Sequence, residues 1–206
     1  MRAALLLSLL ALSCVPPRVR LLGPDAAFTA DEYFDRLSQW TRSGEVYEQF
    51  ESRVFASATF RSWTFRQAQI AHRIATERIT NDDAATLRAS ERKESDEAND
   101  FFLAVHTNEW SWNHLEDTSD GALWRLRLVT DEGDAVAPTS VTRVGTNDGR
   151  FTALYPYYQG FYVGYLVRFP RKTASGADVL RPGIGAFTLR MAGPQAAIDL
   201  TWEVAK

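Results

Sequence analysis

The clearest pattern in the chain is an alternation of apolar positions in its C-terminal third. Phe161, Val163, Tyr165, Val167 and Phe169 occupy every second position, and a proline follows the last of them. Side chains of a β-strand point alternately to opposite faces, so this spacing predicts a strand. Because this set carries no charge, we expect a central strand with one fully buried face.

Other stretches repeat this alternation or show helical spacing. Alternation predicts strands over about residues 51–61 and in several segments of 99–205. Apolar residues at helical spacing predict helices over about 29–43 and 62–97. The first of these helices starts at a Thr-Ala-Asp-Glu sequence from Thr29, which has the spacing of a capping box.

These elements predict an α+β protein that is mainly β. Strands joined by short loops, without regular exchange between strand and helix, favour an antiparallel β-sandwich, immunoglobulin-like or similar. We expect an N-terminal helix and a helical insertion after the first strand. A small β-barrel stays open as the alternative, because the period of the pattern does not distinguish the two.

The first residues have the pattern of an export signal. A positive Met1-Arg2 start precedes an uncharged apolar run over residues 3–12. This run is much shorter than the roughly 20 residues that a membrane-spanning helix needs. It is the length of the apolar part of a signal peptide, so we expect a signal peptide over residues 1–13.

Residues 10–14, Leu-Ala-Leu-Ser-Cys, resemble the lipobox of bacterial lipoproteins. The resemblance implies that Cys14 receives a lipid and becomes the new N-terminus. Because Val15 rather than aspartate follows, it also implies an outer-membrane protein facing the periplasm. Cys14 is the only cysteine, and a lone thiol in an exported protein has no disulfide partner in its own chain. The alternative is cleavage near Ser13 without lipidation, which predicts a periplasmic or secreted protein.

Composition limits what the rest of the chain can be. Residues 14–28 contain three prolines and no periodicity, which predicts a lipid-anchored tether before a single globular domain over 29–206. At 45% hydrophobic and 12% aromatic residues, the chain can build one core. Loss of Arg2 with the signal peptide changes the net charge from −3 to −4. Nothing indicates the basic face that a nucleic-acid partner requires.

Candidate catalytic groups lack a motif. The chain contains no HExxH sequence, no cysteine–histidine set, no GxSxG elbow and no phosphate-binding glycine loop, and each of these is the usual signature of its chemistry. We therefore expect no catalytic residue, no metal and no cofactor. The alternative is a periplasmic hydrolase or metal-dependent enzyme that uses His106 or His114 with nearby carboxylates.

Aromatic residues at predicted loops and strand ends are the better candidates for a binding surface. Amphipathic rings in such places often contact proteins or sugars. The set predicts a contact surface for a protein or glycan of the envelope, and its alternative role is to close the open ends of the sandwich. The candidate residues are Trp110, Trp112, Tyr155, Tyr157 and Tyr158.

Three segments resemble a group of small uncharacterised bacterial lipoproteins: FFLAVHTNEW, ALWRLRLVTDEGDAVAP and LYPYYQGFYVGYLVRFP. The resemblance covers roughly residues 99–170 and the signal sequence. It implies an envelope location and a β-rich C-terminal domain, and it supplies no catalytic residue. We therefore expect an exported, lipid-anchored envelope protein without catalytic activity that acts as a structural or binding module.

Overall fold

The computed structural model describes residues 16–21, 23, 25–145 and 148–205. The predicted signal peptide and Cys14 lie outside these residues. Within them, the chain is an α+β protein in which two antiparallel sheets pack face to face. The prediction of a mainly β sandwich with helices is confirmed, and the strands do not close into a single barrel.

Nine strands, numbered in chain order, occur in the described residues. They are β1 (Thr41–Glu48), β2 (Glu51–Phe60), β3 (Ala98–Thr107), β4 (Arg125–Thr130), β5 (Ala135–Val136), β6 (Ser140–Arg143), β7 (Val163–Pro170), β8 (Ala186–Ala192) and β9 (Ala197–Glu203). One sheet has the order β1-β2-β3-β7-β6, and the other has the order β5-β4-β8-β9. The aromatic strand β7 lies between β3 and β6, so it is a central strand as predicted.

Four α-helices accompany the strands in the described part of the chain. They are α1 (Tyr33–Trp40), α2 (Trp63–Thr76), α3 (Asn81–Glu97) and α4 (Gly149–Leu154), with short 3-10 turns at Ala30–Glu32 and Trp110–Trp112. The capping box at Thr29 is present, and the Ser62 hydroxyl accepts from the Phe65 N–H at the start of α2. No helix among these residues is both long and apolar enough to cross a membrane.

Two elements differ from the sequence prediction. The first helix was expected to reach residue 43, but it ends at Trp40 because the chain enters β1, which pairs with β2. The helical insertion therefore follows the second strand rather than the first. In addition, β7 begins only at Val163 rather than at Phe161, and the helix α4 lies before it in the chain. Neither β1 nor α4 has a clear apolar pattern of its own, and each is held by the sheet beside it.

Aromatic rings fill the space between the sheets. Between ring centroids, Phe60 of the five-stranded sheet lies 5.1 Å from Phe187 of the other sheet. Phe101 lies 5.4 Å from Trp202 in the same way. Trp202 stacks on Phe187 at 5.2 Å, and its indole N–H donates to the Trp40 carbonyl over 2.8 Å. This hydrogen bond joins the last strand to the end of α1, so both sheets and the first helix share one core.

The outward face of the five-stranded sheet is only partly covered. Near its centre, the ring of Phe102 stacks on Phe151 of α4 at 5.3 Å and on Tyr155 at 4.0 Å. Arg66 of α2 reaches Asp100 on the same face. Further along the strands, Phe55 and His106 are only half-buried. The helices thus leave one end of this face accessible.

The segment before the domain is attached to it. Val19 is fully buried beside Val204, and its N–H donates to the Glu203 carbonyl over 2.8 Å. Arg42 donates to the Pro17 carbonyl over 2.7 Å. The prediction of a tether over 14–28 is wrong in this part, because Val19 extends the sheet edge at the end of β9. We call this side of the sandwich, where β1 begins and β9 ends, the N-terminal end.

The opposite side carries the turn between β1 and β2, and we call it the hairpin end. Gln49 and Phe50 form the turn, and Phe50 is fully exposed. β3 ends and β7 begins on this side, because both pair antiparallel within the same sheet. From Arg42 to Tyr47, β1 advances by five residue steps, or about 16 Å at the usual strand rise. The two ends are therefore well separated.

Gly44 lets the edge strands β1 and β9 approach each other. A Cβ atom at this position would lie 3.0 Å from Ile198 Cδ1 and 3.3 Å from Leu200 Cδ2. We expect Gly44→Ala to lower the free energy of unfolding by about 1–3 kcal/mol, because extra volume in a packed contact forces neighbours to shift. Urea unfolding followed by tryptophan fluorescence measures this loss.

Gly145→Ala is the matched control, since a Cβ atom there meets nothing within 4 Å. Both substitutions remove the same conformational freedom from the unfolded chain. Equal changes in the two variants would show that the contact between β1 and β9 does not restrict the size of the side chain at position 44.

Candidate functional site

The two histidines of the enzyme alternative lie in different surroundings. His106 is on β3, where its ring stacks on Phe55 with 5.9 Å between centroids. His114 follows the 3-10 turn Trp110–Trp112, and its Nδ1 lies 3.4 Å from Glu116 Oε1. Within the described ranges, no group of three or more histidine, cysteine, aspartate and glutamate residues could hold a metal ion.

The three tyrosines of the predicted binding surface belong to the interior. Tyr155 and Tyr158 are buried, with 2% and 4% of their surface exposed, and Tyr157 is half-buried. The Tyr157 hydroxyl lies 2.7 Å from Thr59 Oγ1, and Gln69 donates to the Tyr155 hydroxyl over 3.2 Å. The prediction of an exposed contact surface is therefore wrong for Tyr155 and Tyr158, because their rings pack on Phe102 and Gly164 of the outward sheet face.

Burial also determines the acidity of these hydroxyls. Loss of solvent raises the pKa of both Tyr155 and Tyr157, since a phenolate is poorly stabilised away from water. Both groups are neutral at any physiological pH. Their hydroxyls form hydrogen bonds with Gln69 and Thr59 beneath the surface.

The two tryptophans separate into one exposed and one half-buried ring. Trp110 is 59% exposed, and the Arg143 guanidinium lies 5.6 Å from its ring centroid. Trp112 is half-buried beneath Arg53, and its carbonyl accepts from the Trp124 indole N–H over 2.6 Å. Of the five predicted surface residues, Trp110 is therefore the one that is clearly available for contact.

A different set of rings forms a continuous surface at the hairpin end. Tyr47 meets Phe55 edge to face at 5.8 Å, and Phe55 stacks on His106 at 5.9 Å. His106 in turn lies 6.2 Å from Phe161 and 6.0 Å from Tyr162. These five residues lie on β1, β2, β3 and the two positions before β7, and we call them the aromatic strip.

Much of the aromatic strip faces solvent. Tyr47 is 57% exposed and Phe161 is 80% exposed, while Phe55, His106 and Tyr162 are half-buried. Phe50, at the adjacent hairpin turn, is also fully exposed. Contiguous exposed apolar area is uncommon on a monomeric protein and marks contact sites. Three of the exposed large hydrophobic residues, Tyr47, Phe50 and Phe161, thus belong to the strip or lie next to it.

Strand pairing is what assembles the strip. Phe55 and His106 are direct partners across β2 and β3, so their rings meet on the outward face. In the sequence, Phe55 alternates with Val54 and Ala56, and His106 alternates with Val105 and Thr107, so each lies on the side of its strand opposite to these neighbours. Alternation did not show which strands were neighbours, and it assigned Phe161 to the buried set of β7. In the structure Phe161 precedes that strand, so alternation does not govern it.

Carboxylates surround the strip at the hairpin. Between residues 45 and 53 the chain has three glutamates and one arginine. Arg53 contacts Glu48 at 2.9 Å and Glu51 at 3.5 Å. The Tyr47 hydroxyl donates to Glu45 over 3.1 Å, and this hydrogen bond raises the pKa of the tyrosine. The exposed rings thus lie beside an acidic edge.

A buried ion cluster holds the helical layer on the opposite half of the same sheet face. Arg66 is fully buried; its Nη2 donates to Asp100 over 2.6 Å and its Nη1 donates to Glu91. Burial disfavours the charge on Glu91, but Arg61 and Arg66 outweigh this effect and lower its pKa. The members of the cluster are Arg61, Arg66, Glu91, Glu94, Asp100 and Arg168. Their charges neutralise one another, so the cluster is a structural element.

No family model matches this chain, and no curated protein does either. A crystal structure described as a novel protein of unknown function from Burkholderia pseudomallei K96243 matches over 89% of this chain and 93% of that one. The sequence identity is 12% and the TM-score is 0.39. The architecture described above follows from the strand pairing of the present chain itself.

Proposed function

We propose that this protein is a non-catalytic binding module of the bacterial cell envelope, held by a lipid on Cys14. The aromatic strip is the observation that carries the binding role, because exposed, contiguous rings favour association with a partner. The lipobox-like sequence at residues 10–14 supports the anchor. By the same resemblance, we place the module at the outer membrane, facing the periplasm.

The position of the N-terminal segment supports a defined orientation at the membrane. Pro17, whose carbonyl accepts a hydrogen bond from Arg42, comes three positions after Cys14 in the sequence. A chain of this length spans at most about 10 Å. The N-terminal end of the sandwich would therefore rest close to the lipid headgroups. The hairpin end, with the aromatic strip, would point away from the membrane and towards partners in the envelope.

Photo-crosslinking tests the binding role of the strip in cells. We expect p-benzoylphenylalanine in place of Phe161 to give a discrete adduct with an envelope component. The same group in place of Phe34, which is 48% exposed on α1, serves as the control and should give none. A further substitution of Tyr47 and Phe50 by serine should abolish the adduct at position 161, because it removes neighbouring contact area.

Either of two results would contradict the proposal. One is equal crosslinking from positions 161 and 34, which would mean that the strip is ordinary surface. The other is an adduct at position 161 that survives removal of Tyr47 and Phe50. Circular dichroism of the purified variants confirms that each is folded, and all substituted side chains are exposed.

A further inference from the structure

The acidic edge of the aromatic strip restricts the chemistry of its occupant. Within the described residues, Glu45 and Glu109 are exposed and form no ion pair with a lysine, arginine or histidine. Glu48 and Glu51 share the single cation Arg53. The hairpin end therefore presents unneutralised negative charge next to exposed ring faces. A positively charged group is favoured there by both features.

Another site in this protein shows how a cation binds to an aromatic ring and a carboxylate together. The Arg92 guanidinium lies 4.9 Å from the ring centroid of Trp63. Asp25 lies 3.5 Å from Arg92 and also accepts from the Trp63 indole N–H over 2.7 Å. An arginine is thus held by a ring and a carboxylate together. Arg143 likewise covers the exposed ring of Trp110.

The aromatic strip has the ring and the carboxylate of this arrangement but not the arginine. Among the described residues, arginine covers Phe28, Trp63, Trp110, Trp112 and Trp202, and none covers a ring of the strip. Tyr47 contacts Glu45, while its ring and that of Phe161 stay open to solvent. In the part of the chain that the structure describes, no guanidinium therefore lies over the rings of the strip.

We propose that the partner of the aromatic strip is a protein segment that presents arginine side chains. This inference rests on the proposed function and adds the chemical class of the partner. Guanidinium groups would lie on the rings of Tyr47 and Phe161 and pair with Glu45 and Glu48. A second copy of this chain fits less well, because a symmetric contact would bring two acidic hairpins together.

Peptide titration of the complete mature domain, followed by NMR, tests this chemistry. The probe is an eight-residue peptide of alternating arginine and leucine. Its control replaces arginine by citrulline, which keeps the shape and removes the charge. We expect the arginine peptide to shift resonances of the strip residues and the citrulline peptide to bind about tenfold more weakly, a difference of about 1.4 kcal/mol. Added salt should weaken only the arginine peptide.

Charge variants of the protein provide the complementary control. We expect Glu45→Gln with Glu48→Gln to weaken the arginine peptide by about tenfold and to leave the citrulline peptide unaffected. Glu97→Gln with Asp120→Asn removes the same charge from exposed positions outside the hairpin and should change neither affinity. Urea midpoints of both double variants verify that the fold is retained.

The outcomes separate the partner chemistry from the binding role. Equal binding of the arginine and citrulline peptides, or shifts produced by a chitin oligosaccharide but not by the arginine peptide, would overturn the arginine partner. A specific adduct at position 161 would still support the binding role in that case. If the strip yields no specific adduct in cells, the proposed function fails whatever the peptide shows.

Discussion

Replacing Arg66 by methionine is expected to lower the free energy of unfolding by about 3 kcal/mol. Removing one partner of a buried ion pair leaves the other charges in a poorly solvated site, which costs about 3–5 kcal/mol. Asp100 and Glu91 would lose the guanidinium that lies between them. Each keeps one other arginine, Arg168 and Arg61 respectively, so the lower end of that range applies.

Urea unfolding followed by tryptophan fluorescence measures this effect. Arg190→Met is the control, because Arg190 pairs with Asp199 at a site where both side chains are nearly half exposed. Exposed pairs contribute about 0–1 kcal/mol. Adding Asp100→Asn to Arg66→Met should recover part of the loss, since it removes an unbalanced buried charge. Equal losses in Arg66→Met and Arg190→Met would contradict a structural role for the cluster.

Replacing Cys14 by alanine is expected to move nearly the whole protein from the membrane fraction to the soluble periplasmic fraction. The proposed lipid is the attachment that this change removes. The thiol is unique in the chain, so no other cysteine can take the lipid. Fractionation of cells of a Gram-negative host and labelling with radioactive palmitate measure location and acylation separately.

Ser13→Ala is the matched control for the Cys14 variant. It alters the neighbouring residue but keeps a small side chain before the cysteine, as the lipobox resemblance requires. We expect this variant to be labelled and to stay in the membrane fraction. An unlabelled native protein, or membrane association that persists in Cys14→Ala, would overturn the proposed anchor. Labelling in Cys14→Ala would place the lipid on another residue.

Strands with strong alternation could be predicted from the sequence, while β1 could not. The alternation around β2, β3, β7, β8 and β9 reflects one face buried between the sheets, and the structure contains all five strands. β1 carries glycine and several charged residues, and its apolar residues Val46 and Tyr47 are adjacent rather than alternating. Its strand conformation comes from pairing with β2, a contact between residues that local pattern does not reveal.

The same limitation applies to the candidate site. Tyr155 and Tyr158 were candidates for a contact surface because they lie at predicted loop or strand ends. They are buried because their rings pack on the outward face of the sheet, Tyr155 on Phe102 and Tyr158 on Gly164. The aromatic strip was missed for the converse reason. Its members come from separate strands, and only the register between β2 and β3 places Phe55 beside His106.

The sequence by itself determined the fold class, the helical pair and most strands, because each depends on the spacing of apolar residues within one short segment. Tertiary structure alone decided which aromatic rings are buried and which are exposed. It also decided that the chain around Val19 is part of the sandwich. These properties depend on neighbours that are distant along the chain, since a ring is buried only where another element covers it.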